Sequence, residues 1–105
     1  MIPTRLLVDG VPWVVEVTDD MDDGYVGLTK RRKGVVLLGA DMSSPMRELT
    51  FWHELIHVIC TSRDLKFHSG DDEAIEEQIA TLLGPALYSF FQANVHILWQ
   101  VPTIE

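Results

Sequence analysis

The apolar period of this chain changes at residue 44, and that change limits the folds open to it. Before it, β-branched and apolar residues run in short stretches with turn residues between them. After it, apolar residues recur every three to four positions for most of the remaining length. Strands first and helices after, within 105 residues, predict an α+β fold: a small antiparallel sheet packed on two helices. A chain of this length builds one modest core, so residues 1–105 are expected to form a single domain.

In the N-terminal part, Arg5–Val8 and Val11–Val17 read as the two strands of a hairpin across Asp9-Gly10, a dipeptide that accepts the positive φ such turns need. Pro12 cannot donate to a strand ladder and predicts an edge position for its strand. Asp19, Asp20, Asp22, Asp23 and Gly24 form an acidic turn, after which Tyr25–Thr29 is extended again. Lys30-Arg31-Arg32-Lys33-Gly34 makes a basic turn ahead of Val35–Leu38. Both charge clusters read most simply as solvated loop tips, with a substrate-guiding basic loop as the functional alternative.

Ser44 suits an N-cap and Pro45 the first helical position. Met46, Leu49, Trp52, Leu55, Ile56 and Ile59 then mark an apolar stripe to about Cys60. Residues 61–70 read as a loop. Asp71 or Asp72 caps a second helix, whose Glu73, Glu76 and Glu77 suit its N-terminal dipole. Ile75, Ile79, Leu82, Leu83, Ala86, Leu87, Phe90 and Phe91 are its expected buried face, and Pro85 predicts a kink after Gly84. Val95 to Trp99 reads as a last strand or a helical turn. Trp13, Trp52 and Trp99 read as core.

Composition excludes several classes. The formal net charge is −8, against what a binder of the nucleic-acid backbone needs, while a basic peptide partner stays open. A single cysteine, Cys60, excludes an intramolecular disulfide and reads as a buried, inert thiol. The apolar stretch near the N-terminus is interrupted by Asp9 and is too short for a signal peptide. No run approaches the roughly 18 apolar residues of a membrane span. A cytoplasmic protein that contacts no membrane is expected.

The first helix carries His53-Glu54-Leu55-Ile56-His57, an H-E-x-x-H pattern. Residues four apart share a helix face, so both imidazoles can reach one metal ion. Glu54 flanks that face and can take a proton from a water activated by zinc, without being a ligand itself. With four His and seven Glu in the chain, chance alone gives this pattern in roughly one per cent of cases, before a helix around it is required. Two histidines do not hold zinc alone, so a third protein ligand is expected. The metzincin continuation is absent, because Arg63 stands where its third histidine would be.

In this respect the sequence resembles the gluzincins, whose third ligand is a Glu roughly twenty residues after the second His. Glu77 stands at that distance from His57, and Thr81 at the following i+4 position, where that clan often has a polar partner. The resemblance narrows to the small ImmA/IrrE-type and related phage-encoded metallopeptidases. It rests on Val35–Leu38, the run Leu49 to His57, and Glu77-Gln78-Ile79-Ala80-Thr81-Leu82-Leu83-Gly84. That last stretch is similar to the family's E-x-x-A-N-x-F-A helix, with Thr81 in place of Asn and Leu83 in place of Phe. The likeness covers roughly residues 25–91.

The resemblance implies a minimal zinc metallopeptidase acting on a protein or peptide. One zinc ion per chain would be held by His53, His57 and Glu77, with Glu54 as general base. It also implies that Val35–Leu38 is the edge strand along which a substrate peptide adds. Glu76 competes with Glu77 for the third ligand. Glu77 shares its helix face with Ala80 and Gly84, whose small size lets two helices approach, and this favours it. His68, His96, Tyr25 and Tyr88 are the candidates for stabilising the oxyanion, and the sequence does not choose among them. Two other function classes are open: a zinc-stabilised binding module without hydrolysis, and an acidic mimic of nucleic acid. A purely structural site has no use for Glu54, and the acidic residues form no regular face.

Overall fold

The Asp9-Gly10 turn organises the first hairpin as its dipeptide predicts. In the computed structural model of the chain, which describes residues 2–21, 24–65 and 72–98, both turn residues have positive φ, 51° and 79°. Strands β1 (Arg5–Val8) and β2 (Val11–Thr18) pair antiparallel, with Val8 opposite Val11. Strands β3 (Gly27–Lys30) and β4 (Val35–Gly39) form a second antiparallel pair, with Lys30 opposite Val35. The two pairs join through a parallel ladder between β2 and β4, from Val14 opposite Val35 to Thr18 opposite Gly39. The strand order is therefore β1-β2-β4-β3. The fold is α+β as expected, and its sheet is antiparallel except at this central ladder.

This order corrects two expectations. β2 is interior rather than an edge strand. Pro12 is tolerated because it lies opposite Leu7, before the pairing with β4 begins at Val14, so its missing N–H removes no bond on that side. β4 is interior as well, with Val36 and Leu38 fully buried, and the outer strand beside it is β3. A continuous apolar run such as Val35–Leu38 is the pattern of a central strand.

Helix α1 (Ser44–Ser62) lies across one face of the sheet. Its N-cap is Ser43, one residue earlier than expected, whose hydroxyl accepts from the Met46 N–H at 3.4 Å. Pro45 then falls in the first turn, where an N–H has no intrahelical acceptor. Phe51 and Val58 pack with Trp13, Val15, Val36 and Leu38 in the main core. Met46, expected inside, is half exposed. The helix is wedged between the sheet and a second helix, so its burial covers two faces rather than one stripe.

Helix α2 (Asp72–Leu98) runs without a break through Pro85. The first residues of the expected strand or turn at 95–99 continue this helix, while Trp99 and His68 lie outside the described residues. Among its described side chains the buried positions are Glu76, Ala80 and Gly84, whereas Leu82, Leu83 and Phe90 are exposed. The small residues decide which face meets α1. A Cβ on Gly84 would stand 2.9 Å from the backbone N and Cα of His53, so the helices touch backbone to backbone there. Ile56, Cys60 and Ala80 form a second core between the helices, and Trp52 stacks on Phe91 with ring centroids 5.0 Å apart. At the far end of α1, Ser62 and Arg63 donate to the Asp9 carboxylate at 2.6 and 2.9 Å, tying the hairpin to the helix.

Candidate metal centre and active site

The close approach at Gly84 brings α2 beside the face of α1 that carries both histidines. Their ring centroids are 5.2 Å apart. Oε1 of Glu77 lies 2.8 Å from Nε2 of His53 and 2.9 Å from Nε2 of His57. These three donor atoms all fall within 4.8 Å of one another. Among the described residues no other trio of His, Cys, Asp or Glu donors converges in this way.

Glu76 and Glu77 both reach His57, from opposite sides of its ring. Consecutive helical residues point about 100° apart, and here the two carboxylates straddle the imidazole. Oε2 of Glu76 lies 2.5 Å from Nδ1 of His57. Burial pulls the His57 pKa down, but its hydrogen bonds to Glu76 and Glu77 and the nearby carboxylate charges outweigh this and hold it above the ordinary imidazole value. For Glu77, desolvation pushes upward, and the bonds from His53 and His57 prevail to hold it below the ordinary carboxylate range.

This donor set fits a zinc ion. A neutral His57 that donates its Nδ1–H to Glu76 keeps a lone pair on Nε2, the nitrogen that faces the same point as His53 and Glu77. Two imidazole nitrogens and one carboxylate oxygen, with solvent on the remaining side, match a zinc site that keeps a position open. Glu77 is 58% exposed and His57 15%, so the trio sits at a surface rather than in a closed cage.

Glu54 occupies the same cleft without joining the trio. It is 7% exposed. The Thr29 hydroxyl on β3 donates to its Oε1 at 2.7 Å. β3 approaches so closely that a Cβ on Gly27 would lie 2.5 Å from Cγ2 of Thr50 and 3.2 Å from Oε2 of Glu54. The cleft, of about 570 Å³, runs between β3 and the two helices and has Tyr25, Val26, Leu49, Thr81 and Pro85 in its walls.

Arg31 departs from its expected place as a solvated loop tip. Its guanidinium reaches both helices, bonding the Thr61 hydroxyl on α1 at 2.5 Å and pairing with Oε2 of Glu76 on α2. Of the oxyanion candidates, Tyr25 lines the cleft. The Tyr88 hydroxyl instead donates to Glu48 at 2.8 Å in a separate groove, and that bond raises its pKa. His68 and the side chain of His96 lie outside the described residues. Cys60 is buried, which pushes its thiol pKa upward, and it stands apart from the donor trio.

Thr29 and Gly27 stand at the site without a sequence expectation that placed them there, and Arg31 is legible only as one member of the basic turn. A glycine inside an extended stretch does signal the close approach of another chain segment, so Gly27 carries a usable mark. Thr29 and Arg31 act across 25 and 45 residues of sequence, and no local pattern announces such contacts.

A sheet with an outer strand, a helix bearing paired histidines and a second helix supplying a carboxylate define a metallopeptidase-like domain. The sequence model of the IrrE N-terminal-like domain, a peptidase family, matches residues 10–90, and the chain belongs to that family. Comparison with curated proteins and with solved structures gave no match. No helix among the described residues is long and apolar enough to cross a membrane.

Proposed function

We propose that the protein is a zinc-dependent metallopeptidase in which His53, His57 and Glu77 hold one zinc ion and Glu54 is the general base. The observation that carries this reading is the convergence of Nε2 of His53, Nε2 of His57 and Oε1 of Glu77 in the cleft that also holds Glu54. Zinc, when bound, supplies Lewis acidity that polarises the scissile carbonyl and makes a water nucleophilic at neutral pH. Glu54 takes a proton from the attacking water as its oxygen bonds to the carbonyl carbon. It then gives that proton to the amine nitrogen as the C–N bond breaks.

The Thr29 hydroxyl keeps the Glu54 carboxylate turned toward the cleft during both transfers. Among the described residues the outer edge of β3 pairs with no further strand, and an extended peptide would add there along the same cleft. A module that uses zinc only as a structural staple would leave Glu54 buried beside the site with no task.

Metal content tests the ligand set. Wild type is expected to hold one zinc per chain after exposure to zinc, and His53→Ala and Glu77→Ala to lose it. Full occupancy in Glu77→Ala together with loss in Glu76→Ala would move the third ligand by one residue. A wild type that takes up no zinc would remove the site.

A further inference from the structure

We propose that Arg31 is a positioning residue of the metal centre, acting through Glu76; this rests on the zinc reading above. Arg31 leaves the turn after β3 and reaches both helices. One guanidinium nitrogen bonds Oγ1 of Thr61 on α1, and the other pairs with Oε2 of Glu76 on α2. That same oxygen faces Nδ1 of His57 at 2.5 Å. The next residue, Glu77, faces the Nε2 atoms of both histidines. A single guanidinium thus joins the sheet, the helix that supplies two ligands and the helix that supplies the third.

The mechanical consequence follows from the spacing. Glu76 and Glu77 are adjacent on one helical turn, so rotating α2 to move one carboxylate moves the other. With Glu76 fixed between Arg31 and His57, the direction of Glu77 and the ring plane of His57 are set together. The Glu76 side chain is only 10% exposed, and a buried carboxylate that loses its cation is costly to keep in place. Without Arg31 the Glu76 side chain turns toward water and releases both constraints. Thr61, one helical turn beyond His57, aims the guanidinium. A lysine ammonium lacks the planar fork that serves two acceptors at fixed angles. Arg31 itself is nearly half exposed, so replacing it leaves the core intact.

The test is zinc affinity of the full chain, measured by competition with a chromophoric chelator. The variants are Arg31→Ala, Arg31→Lys, Glu76→Gln and the double Arg31→Ala/Glu76→Gln. Partners behind a metal ligand are typically worth about 10–100-fold in affinity, and Arg31→Ala is expected to lose that much, with Arg31→Lys regaining part of it. Glu76→Gln should lose a similar factor, and the double variant no more than Glu76→Gln alone. The visible spectrum of the cobalt-loaded protein should change in Arg31→Ala, reporting altered ligand geometry independently of activity. Unchanged affinity in Arg31→Ala overturns the inference, as does a double variant in which the two losses multiply. If Arg31→Ala does not fold, Thr61→Val decides: a smaller loss in the same direction supports the inference and no loss overturns it. Absence of zinc uptake by wild type overturns the zinc reading and this inference together. Uptake by wild type with an unaffected Arg31→Ala overturns the inference alone.

Discussion

The hydroxyl of Thr29 donates to Oε1 of Glu54 at 2.7 Å, joining the outer strand of the sheet to the helix of the H-E-x-x-H motif. A buried carboxylate acting as a base needs a fixed direction, and this bond supplies one from a different element of the fold. Thr29→Val keeps the shape and removes the donor. A hydrogen bond to a charged group is worth roughly 1.5–3 kcal/mol, so kcat should fall by at least about tenfold with zinc content unchanged. Steady-state kinetics alongside metal analysis checks this, and unchanged kcat would mean that Glu54 is oriented by other contacts.

Gly84 is the second point at which the site depends on packing. A Cβ there would meet the backbone of His53 at 2.9 Å, and backbone cannot yield as a side chain does. Gly→Ala inside a helix ordinarily gains up to about 1 kcal/mol, while overpacking costs typically 1–3 kcal/mol. Because rigid atoms are involved, Gly84→Ala should be a net loss of about 1–2 kcal/mol, accompanied by weaker zinc binding as the helices separate at His53. Denaturant unfolding and zinc titration of the same variant test both halves. A stabilised variant with normal affinity would contradict the packing account.

Much of this arrangement is legible in the amino-acid sequence. Asp9-Gly10 announces its hairpin because the turn is a local matter of φ. The spacing of His53 and His57 places two imidazoles on one helix face for the same kind of reason. Ala80 and Gly84 mark the contact face of α2, although the leucines and phenylalanines around them point to a broader one. That helix is apolar on more than one side, so periodicity alone misassigns Leu82, Leu83 and Phe90. Strand order is not legible, since β4 lies between β2 and β3 and pairs with β2 in parallel, a long-range pairing with no local signature. The roles of Thr29 and Arg31, and the pairing of Glu76 with His57, arise from contacts between distant segments that no local pattern encodes.

Metal removal should reveal linkage to pH. The ligands bind zinc only when unprotonated, and a ligand of the native state stabilises it by mass action. In the metal-free protein the raised His57 pKa contributes stability that is full below the ordinary imidazole value near ~6.5 and is lost as pH rises through the raised value. The lowered Glu77 pKa acts oppositely, contributing above the ordinary carboxylate range and losing its effect as pH falls through the lowered value. Zinc stabilisation grows as His57 gives up its proton, so the gap in Tm between loaded and chelated protein should widen from pH 6 to pH 8. Thermal melts with and without chelator across that range measure it. Superimposed melts at pH 8, with zinc shown to be bound and then removed, would mean that folding is independent of the metal.

Glu54 as the base of a zinc peptidase is the central claim, and Glu54→Gln tests it most directly. The substitution keeps the size of the side chain and its acceptor for Thr29 while removing its capacity to take a proton. Wild type and variant, matched for zinc content and melting temperature, should be compared on a peptide library with cleavage read by mass spectrometry. Cleavage by wild type and a loss of at least about 100-fold in the variant are predicted. Equal cleavage by both proteins would contradict the assignment of Glu54 as the base.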